Sequence, residues 1–198
     1  MKHLWIIWFI AGILTSGIVA YTTVHFTTQK TENDYLYDYY KTQVATNVSA
    51  HGLRKKLSEA NTTFYLVDVR SREEYLEWHI AWAINIPAYT NRENTTHTSD
   101  AEILKQFQDL DTSKEIITYC YSSYCMTSRK MGKFLAENRV FVKHLTVWWN
   151  EWKYGWDLWN YPHEENETEK YISSGKKSGT LTGSTLDWAC GVNSDFGC

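Results

Sequence analysis

The chain reads as an α/β protein: a parallel sheet flanked by helices, preceded by an apolar helix of membrane-spanning length. Three observations predict it. Strand-like segments alternate with helical segments between Thr63 and Val147, the order that builds parallel strands joined by helical crossovers. The run "TFYLVDV" (63–69) is continuously apolar and β-branched, as expected of a strand covered on both faces. Residues 4–24 carry no charge and are mostly apolar, and about 20 such residues cross a bilayer.

The N-terminal segment, 1–26, has Lys2 before its apolar run and Lys30, Glu32 and Asp34 after it. The positive-inside bias keeps the N-terminus cytoplasmic and puts the remainder outside. A cleaved signal peptide is the rival reading, although Ala20 is preceded at the required spacing by Ile18 rather than by a small residue. In both readings the rest of the chain works outside the cytoplasm, membrane-anchored or secreted, where thiols can oxidise. Residues 27–43 read as a polar, tyrosine-rich linker.

"NVSAHGLRKKLSEA" predicts a helix capped by Ser49, with Leu53 and Leu57 on one face. After the 63–69 strand, "SREEYLEW" is a short helix whose Ser71 and Glu74 form a capping-box pattern. "AINIP" is a short strand and 89–99 a polar loop. "DAEILKQFQDL" is a helix entered from Ser99 or Asp100, "EIITYC" a strand and "TSRKMGKFLAEN" a helix with Met131, Phe134 and Leu135 inward. "VFVKHLTV" is the last strand. Residues 164–198 form a polar, Gly/Ser-rich tail containing Cys190 and Cys198, which are close enough in sequence to bridge.

The net charge of −3 gives no reason to expect a nucleic-acid surface, and four cysteines in 198 residues are too few for a disulfide scaffold. No spacing of cysteine and histidine suggests zinc, so no metal or cofactor is expected.

The chemistry concentrates in "YCYSSYCMTSRKMGKFL". Ligands of open parallel sheets bind beyond the carboxyl ends of the strands, and Cys120 stands at such an end. The following helix starts near Thr127, so its free N–H groups and positive dipole end face the loop. That environment favours anions and lowers a cysteine's pKa. Ser122 and Ser123 let the loop curl, while Arg129 and Lys130 add positive potential. The residues thus read either as a nucleophilic Cys120 in an anion cradle or as a free cysteine packed like a small hydrophobe. Cys125 reads either as a resolving thiol, bridging reversibly to Cys120, or as a loop-packing residue.

"LVDVRSREEYLEWHIAWAINIP" (66–87) resembles the first signature of the rhodanese family, through Asp68, Arg70, Glu74, His79, Ile80, Ala83, Asn85 and Pro87. The Cys120 segment is similar to the family's active-site strand, loop and helix, and Glu151-Trp152 to its closing segment. The likeness makes 44–163 a rhodanese-like domain and implies a five-stranded parallel sheet flanked by helices. It also implies sulfur transfer: the Cys120 thiolate takes a sulfane sulfur from thiosulfate or a persulfide and passes it to a thiol acceptor. The alternatives are a thiol–disulfide or persulfide relay through Cys120 and Cys125, or a non-catalytic rhodanese-like binding module. Tyr121, Ser122, Ser123, Tyr124, Cys125 and Met126 would form the substrate loop. Asp68 and Arg70, as a buried ion pair, would support it with Ser128 and Arg129.

Two departures stand out. Many active members carry arginine where this chain has Cys125, although a subgroup has a second cysteine there followed by serine, as in Cys125-x-x-Ser128. Phosphatases of this fold carry arginine one position later, where Met126 stands, which argues against that activity. Trp78, Trp82, Trp148 and Trp149 occupy or adjoin family glycine positions. An indole cannot supply the backbone freedom of glycine, which suggests UGA codons meaning glycine in the gene but translated here as tryptophan.

Overall fold

The computed structural model describes residues 3–27, 30–93, 98–179 and 181. The chain divides into two compact units, Met1–Gln43 and Val44–Cys198.

In the first unit, α1 (Leu4–Thr27) contains the uncharged span Leu4–Val24, whose 21 residues extend about 31 Å at 1.5 Å per residue. By length and composition it suits a membrane span or a signal segment. A second helix, α2 (Glu32–Thr46), replaces the expected linker. It contains no proline or glycine, and its start is fixed reciprocally: Thr31 N–H donates to Asp34 Oδ2 at 2.8 Å and Asp34 N–H to Thr31 Oγ1 at 3.2 Å.

The second unit begins with β1 (Asn47–Val48) and α3 (Ala50–Ser58), where Ser49 caps the helix by accepting from Gly52 N–H at 2.9 Å. The chain continues through β2 (Phe64–Asp68), α4 (Arg72–Glu77), β3 (His79–Ile80), β4 (Ala83–Asn85) and α5 (Asp100–Gln108). Then come β5 (Glu115–Tyr119), α6 (Thr127–Glu137), β6 (Lys143–Leu145), α7 (Trp149–Tyr154), α8 (Trp156–Trp159) and β7 (Ile172–Ser173). Five strands form one parallel sheet in the order β1-β6-β5-β2-β4, with helices flanking it, as the sequence predicts. Leu66, Val67, Ile116 and Ile117 of the central strands are buried, which is why these strands show no alternation.

The register sets the site. Asp68 lies level with Tyr119 on one side and Asn85 on the other, so three strands end together. Arg70 and Cys120 therefore emerge at the same carboxyl edge of the sheet.

The tail does not leave the domain at residue 164. Tyr171 is fully buried, β7 pairs antiparallel with β3, and Gly175 N–H donates to Leu76 O at 2.8 Å. His79 is held at both ring nitrogens, 2.7 Å from Tyr75 O and 3.1 Å from Lys177 O, and stacks on Tyr75. Its surroundings are those of a scaffold histidine. Cys190 and Cys198 lie outside the described residues.

At Trp82 the backbone takes φ +70°, the left-handed region that favours glycine. Its indole N–H is buried without a partner among the described residues. Trp78 (φ −159°) and Trp148 (φ −102°) lie in regions open to any residue, and the buried Trp148 indole donates to Leu145 O. The glycine-like conformation is thus found at Trp82 and not at these two.

Candidate active site

The site is built on the buried pair Asp68 and Arg70. Arg70 Nε and Nη2 grip both carboxylate oxygens at 2.6–3.1 Å. Tyr119 OH donates to Asp68 Oδ2 at 2.7 Å and itself accepts from Ile80 N–H at 3.1 Å, tying β5 to β2 and β3. The guanidinium also donates to Trp78 O at 2.7 Å and lies 4.3 Å from the Trp149 ring centroid. These bonds take up the carboxylate and the Nε and Nη2 of the guanidinium, so the pair frames the loop from beneath while Arg70 also lines the cavity.

Above this frame the loop turns from β5 into α6. Three of its amides, those of Ser123, Tyr124 and Cys125, are engaged inside the protein. Ser123 N–H donates to both oxygens of Glu151 at 3.2 Å, Tyr124 N–H to Ser122 Oγ at 3.3 Å and Cys125 N–H to Ser122 O at 2.8 Å. Glu151 also accepts from the hydroxyls of Ser122 and Ser123 and from Trp148 N–H at 3.0–3.1 Å. One carboxylate on α7 therefore clamps the loop's outer side. Arg129 does not point at an anion site: it donates to the carbonyls of Ser123 and Cys125 at 2.8 and 3.0 Å. Ser128 is buried within 3.1 Å of both Thr118 Oγ1 and His144 Nδ1. Tyr121, Tyr124 and Met126 are exposed.

The two thiols reverse the arrangement expected from the sequence. Cys120 is completely buried, with its carbonyl accepting from Trp149 N–H at 3.0 Å, so that the start of α7 is fastened across the strand end. Cys125 retains 6% exposure and lines a cavity of about 800 Å³. Around that cavity stand Tyr89, Tyr121 and Trp149, the cationic Arg70, Arg92, Lys130 and Lys153, and the acidic Glu74 and Glu77. The sulfurs lie 3.4 Å apart, with the Cys120 S–H donating to Cys125 Sγ. Thr127 N–H, at the start of α6, also donates to Cys125 Sγ, at 3.3 Å. These hydrogen bonds, led by that from Cys120, outweigh burial and hold Cys125 down to about 5. The same bond and burial push the Cys120 thiol well up. The pair therefore holds one proton between its two sulfurs, and the Thr127 N–H favours the negative charge on Cys125.

Sequence reasoning brought the loop, the ion pair and both cysteines to one place. It missed the clamp by Glu151, although that residue was in the matched closing segment, and the closure of α7 over Cys120. It also missed Tyr119 as a partner of Asp68, for which an apolar strand pattern carries no signal.

A parallel five-stranded sheet with a cysteine loop at its carboxyl edge defines a class that the comparisons name. The family model for the rhodanese-like domain matches residues 49–154. The chain belongs to the rhodanese-like domain family. A full-length protein from Lactobacillus plantarum has a similar crystal structure, with TM-score 0.51 and 14% identity over 72% of this chain and 98% of that one. A rhodanese-like domain from Anabaena sp. aligns at 15% identity over 75% of this chain and 94% of that one, with TM-score 0.42. An HTH-type transcriptional regulator of Mycobacterium tuberculosis is 32% identical over 88 residues, 44% of this chain. The matched stretch spans about a third of that curated relative (34%).

Proposed function

We propose that the chain is a sulfurtransferase that moves a sulfane sulfur through a cysteine persulfide in the 120–126 loop. The observation that carries this reading is the pair of sulfurs 3.4 Å apart beside a cavity at the carboxyl edge of the sheet. A thiolate is the nucleophile in such chemistry, and Cys125 has the surroundings that keep one ionised at neutral pH. Arg70, Arg92, Lys130 and Lys153 line the cavity against Glu74 and Glu77, an excess of positive charge around the loop that has cysteine in place of arginine. That charge suits an anionic donor, thiosulfate or a persulfide, with a small thiol as acceptor. The apolar span Leu4–Val24 supports a membrane-anchored enzyme with its catalytic domain outside the cytoplasm.

The test is a single turnover with purified chain. Attack on the outer sulfur of thiosulfate releases sulfite, and attack on glutathione persulfide releases glutathione. We expect about one equivalent from one or both donors and none from the Cys120→Ser/Cys125→Ser double variant. Failure of the wild-type chain with both donors contradicts the reading.

A further inference from the structure

Resting on that reading, we propose that the two cysteines divide the work: Cys125 takes the sulfane sulfur, and Cys120 then expels it as sulfide, leaving a Cys120–Cys125 disulfide. Both cysteines are buried, but Cys125 keeps 6% exposure and lines the cavity, whereas Cys120 has none and is not among the lining residues. Yet the inner sulfur is placed for a second step. At 3.4 Å from Cys125 Sγ it is within the roughly 3–3.5 Å of a near-attack arrangement. The Thr127 N–H on Cys125 Sγ, at 3.3 Å, also favours that sulfur as the thiolate.

In the first step the Cys125 thiolate attacks the outer sulfur of R–S–SH. A bond forms between Cys125 Sγ and the sulfane sulfur, the donor's S–S bond breaks, and R–S⁻ leaves. In the second step Cys120 Sγ attacks Cys125 Sγ. The Sγ–Sγ bond forms, the bond to the sulfane sulfur breaks, and the leaving sulfur departs with the Cys120 proton as hydrogen sulfide. Both cysteine sulfurs are oxidised and the sulfane sulfur is reduced. An external dithiol restores the pair, taking over the disulfide. The domain is then a persulfide reductase coupled to a dithiol donor, with an open cavity through which that donor can reach Cys125.

Single-turnover mass spectrometry with glutathione persulfide, without reductant, tests this on the full chain. Wild-type protein is expected to release about one sulfide and to lose two protons. Cys120→Ser and Cys120→Ala are both expected to stop with one extra sulfur on Cys125 and no sulfide, and Cys125→Ser to gain nothing. The two Cys120 variants guard against a folding defect in either. Sulfur on Cys120 in Cys125→Ser, with none on Cys125 in the Cys120 variants, overturns the division of labour while leaving sulfur transfer intact. A stable wild-type persulfide without disulfide overturns the expulsion step. A wild-type chain that releases neither glutathione nor sulfide removes the sulfur-transfer reading itself.

Discussion

A thiolate at Cys125 receives two hydrogens, the Cys120 S–H and the Thr127 N–H. Cys120, five residues earlier in the same loop, instead donates its S–H to Cys125 and is buried. The same residue type thus takes opposite roles because one position meets a cavity and the other lies under α7. At Trp82 the backbone makes a comparable demand. An L-residue at φ +70° pays about 1–2 kcal/mol that glycine does not, and this indole leaves a buried N–H without a partner among the described residues. Trp82→Gly is therefore expected to be more stable than Trp82→Ala by about 1 kcal/mol, the reverse of their usual order, measured by urea unfolding. Equal or reversed midpoints contradict the strain. The glycine-codon reading has its own check in the gene, where UGG at position 82 would end it for that residue.

Among the elements, the frame of β2, β5 and α4 depends on charge. Arg70→Met leaves Asp68 buried without its ion-pair partner and is expected to cost about 3–5 kcal/mol, read from the denaturation midpoint. A loss below 1 kcal/mol would show that the pair does not support the sheet edge. Where α6 meets β6, burial, with Arg129 beside it, holds His144 down to about 4. The folded chain then binds fewer protons than the unfolded chain between about pH 6.5 and 4. This stabilisation is present above 6.5 and lost as pH falls through 4, about 3 kcal/mol in all. His144→Gln should flatten the fall in stability across that window, and an unchanged slope would assign it to other groups. Much of this layer was legible in the sequence. Ser71 and Glu74 announced their capping box, and the apolar runs at 63–69 and 115–119 marked the central strands. β1 and β7 were not legible, since two-residue strands exist only through their partners. The burial of Cys120 was one of the two readings its sequence allowed, but the docking of Trp149, twenty-nine positions away, on its carbonyl was not legible.

For the whole molecule, the N-terminal helix and the domain carry separate claims. The Leu4–Val24 span is expected to float the chain with lipid vesicles, and removal of residues 1–26 to abolish flotation. Flotation that survives the deletion would assign membrane binding elsewhere. Within the domain, the tail from Thr168 to Gly175 belongs to the fold, because it buries Tyr171 and adds β7 beside β3. Function rests on the order of the two thiols relative to the cavity. Iodoacetamide labelling of the native chain with peptide mapping reads that order directly. Modification is expected at Cys125, half-maximal near pH 5 and constant above it, with Cys120 unmodified until the chain unfolds. Labelling of Cys120 ahead of Cys125, or a Cys125 profile that rises only above about pH 8 as for an ordinary thiol, would contradict the account.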